Sequence, residues 1–355
     1  MKAWVLAVCL LLFGFNLIAQ DVDTGGQVVD ADSTHAGHIP VLSGGLGYIY
    51  NVNGGIPTLE PQINPVLLVP LGSHLLVESR TSFTGFFERR NGTSGDYTGR
   101  VFTTVDYAQL DWLANTHVMA VAGRYILPFG IYQERLEPIW IADLQDTPID
   151  LPIGTQTSGS GDGGELRGVI KQTDSFSVQY TAYFSAESNV HELEAARTAG
   201  GDGSIYFTNR HLELGGSYQR FLQGRHINSV AGYVSWQPLA IPLDLKGEYD
   251  RSFNGNGYWA QGAYMLSQVP VANSFFKNVQ LVGRMQQFYP LNGGGDGLPR
   301  VNTQQVDFGI NYYLWDNNFR LISSYGRQFS SNQDYNIWFT GFTYRFLLPL
   351  WPGRG

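Results

Sequence analysis

The 355-residue sequence predicts an all-β fold, a transmembrane antiparallel barrel of about 16 strands of the bacterial outer-membrane type. Three observations predict it. Segments of about ten residues alternate apolar and polar side chains along most of the chain. An export signal precedes them. The connections between them alternate short and long, as turns and loops do in such barrels. Leu243–Asp250 shows the alternation best. Leu243, Leu245, Gly247 and Tyr249 fall on one face, and Asp244, Lys246, Glu248 and Asp250 on the other. Successive strand side chains point to opposite faces, so this ribbon fits between oil and water.

Residues 1–19 read as a signal peptide: Lys2 precedes the acid-free apolar stretch Ala3–Phe15, with cleavage near Ala19. The rival reading, a membrane anchor, suffers because the apolar run is short for a bilayer. Cys9, the only cysteine, lies inside this signal. The mature chain is therefore expected to be thiol-free, which excludes disulfides, cysteine-ligated metals and a cysteine nucleophile. Residues 20–40 are a polar lead-in. No later segment has the roughly 18 uninterrupted apolar residues of a membrane helix. Pro65–Val77, for example, breaks at Pro70, Gly72 and His74. Losing Lys2 leaves 21 basic against 30 acidic residues, a net charge of −9. Such a chain is a poor partner for nucleic acid.

From 41 to 348 the chain reads as one barrel, followed by a tail, 349–355. Strands are expected near 42–51, 62–70, 74–88, 100–113, 116–126, 165–173, 175–186, 208–221, 227–237, 242–252, 257–268, 277–289, 303–315, 318–329 and 335–347. In 175–186, Phe176, Val178, Tyr180, Ala182 and Phe184 oppose Ser177, Gln179, Thr181, Tyr183 and Ser185. In the last strand Trp338, Thr340, Phe342, Tyr344 and Phe346 form one outward face. Short connections sit at Leu71–Ser73, Ala114–Thr116, Thr173–Ser175, Gln223–His226 and Trp315–Asn318. Long ones sit at Arg89–Gly99, Leu127–Gly164, Glu187–Phe207 and Pro290–Asn302. Fifteen segments qualify, whereas single-chain bacterial barrels have an even number. Either a strand is hidden, for instance within Glu187–Phe207, or one segment lies outside the wall. Sixteen is preferred and fourteen is the alternative.

The lumen is where function is expected. An arginine facing lipid at mid-bilayer costs roughly 2–4 kcal/mol, so mid-strand charges should point inward. This makes Glu78, Arg80, Arg124, Arg167, Lys171, Lys246, Glu248, Arg284, Arg320 and Arg345 pore-lining candidates. They either sort ions or pair with one another. Leu127–Gly164 is too long for an ordinary connection. It either folds into the pore, placing Glu134, Arg135, Asp143 and Asp146 at the narrowest point, or covers the outer rim.

Other chemistry finds little support. Gly159–Gly164 matches a dinucleotide-binding GxGxxG, but a strand pattern follows where a helix is required. His191-Glu192 begins an HExxH whose second histidine is replaced by Ala195, and the segment Asn189–Arg197 reads better as a short loop helix. His35 and His38 are a weak metal pair in the lead-in. There is no GxSxG elbow. No metal or cofactor is implied.

From about Gly123 onward the chain resembles the phosphate-selective porin O and P family. The resemblance rests on Gly123-Arg124-Tyr125 through Pro128-Phe129-Gly130, Glu248-Tyr249, Gly257–Leu266 and Gly309–Leu314. It implies a 16-stranded, often trimeric outer-membrane channel with an inward-folded loop. It also implies anion preference from lumen bases, for which Arg124 and Arg284 are the best matches. The acidic balance and the absence of a lysine cluster depart from that pattern, so phosphate specificity is not carried over. The expectation is a non-enzymatic porin in outer-membrane lipid, passing small hydrophilic solutes or ions by passive diffusion. A barrel hydrolase acting on lipid or peptide and a closed structural or adhesion barrel are the alternatives. A soluble β-sandwich is the rival fold.

Overall fold

The computed structural model describes residues 39–91, 94–155, 159–270, 273–292 and 297–350. The expected signal, nearly all of the lead-in with His35 and His38, and tail residues 351–355 lie outside them.

Sixteen antiparallel strands close into a single barrel, in which each strand pairs with its sequence neighbours and the last with the first. In chain order they are β1 (Val41–Asn53), β2 (Ile56–Pro70), β3 (Leu75–Asn91), β4 (Ser94–Asn115), β5 (Val118–Ile126), β6 (Ser160–Gln172), β7 (Phe176–Ala186) and β8 (Thr198–Phe207). The second half comprises β9 (Leu212–Phe221), β10 (Asn228–Trp236), β11 (Leu243–Arg251), β12 (Gly255–Met265), β13 (Val279–Pro290), β14 (Thr303–Leu314), β15 (Phe319–Ser330) and β16 (Tyr335–Pro349). Closure satisfies backbone groups from strand to strand, the condition a sheet must meet in lipid. No helix among the described residues is long and apolar enough to cross a membrane.

β8 is the hidden sixteenth strand. Its run Gly200-Gly201-Asp202-Gly203 looks like a turn, yet it pairs along its whole length with β7 and β9. The expected long connection Arg89–Gly99 is also strand, because β3 and β4 pair as a tall hairpin out to Asn91 and Ser94. The expected loop helix at 189–197 shrinks to one turn, His191–Leu193, beside an isolated bridge between Ser188 and Ala195. With β8 in place, Gln223–His226 falls at the end of the barrel that carries the 127–159 connection, and Gln237–Pro242 falls at the opposite end.

β2 carries Pro57, Pro61 and Pro65 on one face. Its pairing with β1 is continuous, but its ladder with β3 skips Glu60–Pro61 and Asn64–Pro65. A proline has no N–H to offer a neighbouring strand. Outside, the wall exposes apolar and aromatic side chains such as Trp112, Phe184, Tyr249, Phe308, Leu321 and Trp338. The buried apolar clusters lie inside the barrel. Ile49, Ile322, Ile337 and Phe339 of the inner wall pack around Ile139 of the 127–159 segment. Phe129 and Ile153 of the same segment pack with Ala231, Phe288 and Leu298. Each such side chain contributes about 1.5–3 kcal/mol on burial, so the segment is held inside by its apolar residues.

A constricted passage between the inserted loop and one wall

The segment between β5 and β6 enters the lumen and lies against the inner faces of β9–β16 and β1. Its entry is fixed by backbone donors. Gly130 N–H donates to Ser217 Oγ at 2.9 Å, and Ile131 N–H donates to Glu248 Oε2 at 2.7 Å. Gly130 has φ +67°, and a Cβ there would stand 1.9 Å from Glu248 Oε1. Only glycine fits both the left-handed backbone and the carboxylate. A five-residue turn, Tyr132–Leu136, follows, and Arg135 pairs with Glu213 at 2.8 Å.

Further along, Arg320 Nη2 donates to Ile139 O at 2.8 Å. Trp140 packs against Gly45, where a Cβ would come 2.2 Å from the indole. Asp143 accepts from Gln261 and Gln280 at 2.9 and 3.1 Å and faces Lys246 at 3.8 Å. Asp146 is met by Arg284 and Gln305. Arg284 also bonds Asp146 O at 2.6 Å and Asp307 at 3.3 Å. Burial raises the Asp146 carboxyl to about 6, with Arg284 opposing and Asp307 adding to the rise. Ile149 N–H donates to Gln286 at 2.9 Å. Asp150 is fully buried and, among the described residues, its two carboxylate oxygens have no hydrogen-bond partner. Burial first, then Glu248, raise its carboxyl.

Because the loop occupies the β9–β16 side, the open space lies opposite, against β2–β6. Two cavities are present there. One, of about 290 Å³, is lined by Ser82, Thr84, Asp106, Glu137 and Gln145 among others. The other, of about 360 Å³, is lined by Ser43, Leu68, Glu78, Gln109, Glu134, Glu165 and Arg167 among others. Arg80, Pro138 and Trp140 line both, so the two meet at a waist between β3 and the loop. Arg80 is tied to Asp106 at 2.7 Å. Arg167 stands 3.5 Å from Glu165, 3.8 Å from Asp111 and 3.9 Å from Glu134. Enclosure by protein raises the Glu137 carboxyl to about 7, with Arg80 opposing and Asp106 adding to the rise. Burial likewise raises Glu134, with Arg135 and Arg167 opposing.

The expected pore-lining residues therefore divide. Glu78, Arg80 and Arg167 border the passage. Lys246, Glu248, Arg284 and Arg320 point inward, but the loop covers them. They clamp it instead of lining open water, because the loop brings its own acids and backbone carbonyls to them. Arg124 corrects the alternation. It pairs in register with Ala108 and Asp162, on the face opposite Val121 and Tyr125. Its guanidinium is buried against Val105 O, Asp162 and Glu194 O. The inner face of β5 is the apolar one, because Val121 and Tyr125 pack with Leu127 at the root of the loop and with Tyr183. Lys171 is also corrected. A bulge at Ile170 flips the strand, and Lys171 shares the face of Val178, with its ammonium 5.7 Å from the Phe176 ring. Arg345 sits exposed near the final end of β16, outside both cavities.

Of the four loop candidates, Glu134 borders the passage, while Arg135, Asp143 and Asp146 bind the wall. Alternation from Arg167 points to Glu165, which the sequence reading missed. Asp106 sits at a bulge opposite Arg80/Thr81, where alternation fails, and no pattern marks Glu137.

No family model and no curated protein matches the chain. Solved structures do. The Salmonella typhi OmpF in complex with daunomycin aligns at a TM-score of 0.58 with 12% identity, over 87% of this chain and 98% of that one. An anion-selective porin from Comamonas acidovorans gives 0.54 and 9%, over 87% and 98%. The trimer form of OmpT, an outer membrane protein of Vibrio cholerae, gives 0.54 and 14%, over 87% and 100%. At these identities the likeness is one of fold: the chain is a closed 16-stranded antiparallel barrel similar to those of outer-membrane porins.

Proposed function

We propose that the protein is an outer-membrane porin through which small hydrophilic solutes or ions diffuse passively. The observation that carries this reading is the pair of cavities meeting at Arg80 and Trp140. A loop folded inside the barrel leaves a narrowed, polar space beside the wall and does not fill the lumen. Transport then needs no catalytic residue; size and fixed charge filter what passes. The likeness to porin structures supports this reading and the outer-membrane location, and the export signal expected at 1–19 is consistent with both. The trimer form of the similar Vibrio cholerae protein supports a homotrimer. So do the small side chains that the outer faces of β4–β6 present, Ala108, Ala120, Ala122, Gly164 and Gly168, since they allow close approach between barrels. Phosphate preference finds no support at the waist, because Arg124 and Arg284, the best matches to family lumen arginines, are buried elsewhere.

Proteoliposomes holding the purified barrel should swell in small sugars and exclude larger ones. A folded barrel that admits none would favour a closed structural or adhesion barrel. A single lumen serine or histidine whose loss abolishes hydrolysis of lipid or peptide would favour the enzyme alternative.

A further inference from the structure

We infer that this passage selects cations, and that Glu78 and Glu137 are its specificity-determining residues. The inference rests on the channel reading above and names the solute class for that same passage.

Selectivity here follows from the balance of fixed charge. Among the described residues lining the two cavities are five carboxylates (Glu78, Asp106, Glu134, Glu137 and Glu165) and two guanidinium groups (Arg80 and Arg167). The acids come from both sides, from the wall strands and from the inserted loop. A passing ion therefore meets negative charge all round, with no positive wall facing a negative one. Both arginines are already engaged, Arg80 by Asp106 and Arg167 by Asp111, Glu134 and Glu165. Glu78 and Glu137 have no ion-pair partner among the described residues, one on each side of the waist. The bases that would reverse the sign lie under the loop: Lys246 and Arg284 face Asp143 and Asp307, and the buried Arg320 donates to the loop carbonyl of Ile139. A cleft of one charge sign within low-dielectric walls concentrates counter-ions by roughly 10-fold or more.

The test is the reversal potential of the purified full-length barrel in a planar bilayer under a KCl gradient near 0.1 M, at pH 8. The expected result is a K⁺-over-Cl⁻ permeability ratio on the order of 10. It should collapse toward 1 in Glu78→Gln/Glu137→Gln, and near 1 M salt, where screening shortens to about 3 Å. Lys171→Gln, on the outer face of the wall, should leave the ratio unchanged. Conductance with no preference, or with anion preference, would overturn the inference and leave the channel reading standing. A cation preference that the double variant retains would overturn the assignment to these two residues. A folded barrel that carries no current would overturn the channel reading itself, and this inference with it.

Discussion

Replacing Arg284 with methionine should loosen the middle of the inserted loop while leaving the barrel closed. The Arg284 side chain is wholly buried. It is charge partner to Asp307, itself 3% exposed, and binds the loop at Asp146 through the backbone carbonyl and the carboxylate. Removing one partner of a buried pair costs about 3–5 kcal/mol, because the other charge is left uncompensated. At about 1.4 kcal/mol per tenfold, even 3 kcal/mol raises the detached population of the 143–150 stretch about a hundredfold. The pH dependence has a definite sign. Asp146 has a carboxyl raised to about 6, above its ordinary value, so loop anchoring weakens as pH rises from about 4 through 6. Without Arg284 that window extends upward, so the defect is smaller at pH 5 than at pH 8. The assay is single-channel recording with sugar exclusion in proteoliposomes. Open-channel noise should rise and larger sugars should enter, with partial recovery in Arg284→Met/Asp307→Asn, which removes the orphaned charge. A variant with wild-type noise and exclusion at pH 8 would show that Arg284 does not hold the loop.

Three further outcomes follow from the same geometry. Glu137, with Arg80 and Asp106 facing it, has a carboxyl near 7, so it loses its charge as pH falls from 8 to 6. The cation preference should drop across that range in the wild type and drop less steeply in Glu137→Gln. Gly130→Ala places a methyl on Glu248 in a left-handed backbone that alone costs about 1–2 kcal/mol. It should raise the rate of limited proteolysis within 127–159 while heat-dependent gel migration of the barrel persists. Gly45→Val drives a side chain into Trp140, an overpacking worth about 1–3 kcal/mol. It should change conductance more than the same substitution at Gly232, where nothing lies within 4 Å of a Cβ.

The barrel itself was legible because its signal is repeated: alternation in fifteen segments outweighs an error in any one. β8 was not legible, because its glycines look like a turn while Gly200 and Gly201 serve packing. A Cβ at Gly200 would stand 2.5 Å from the Tyr183 hydroxyl, and Asp202 is fixed by Ser217 and Tyr233. The site was legible only in part. Alternation reports a face, and at β5 it misreports which face turns inward, because the inward face carries the apolar Val121 and Tyr125, packed with Leu127 and Tyr183. Nor does it tell a clamp from a lining group. Arg284, Arg320 and Arg167 look alike in sequence; only the path of the loop, set by Ile139, Phe129 and Ile153 on the inner wall, decides which of them borders water. Asp106 and Lys171 sit beside bulges, where one extra residue shifts the alternation.

Cysteine modification during current recording tests the central claim, a passage between the loop and β2–β6, most directly. Cys9, the only native cysteine, falls in the expected signal, so an introduced thiol would stand alone. Thr84→Cys lines the passage, whereas Ser229→Cys replaces a fully buried residue whose hydroxyl faces Ile153 of the loop. A water-soluble thiol reagent should cut the current through Thr84→Cys and leave Ser229→Cys unaffected. Block at Ser229→Cys with none at Thr84→Cys would place the conducting path on the other side of the loop and contradict the account.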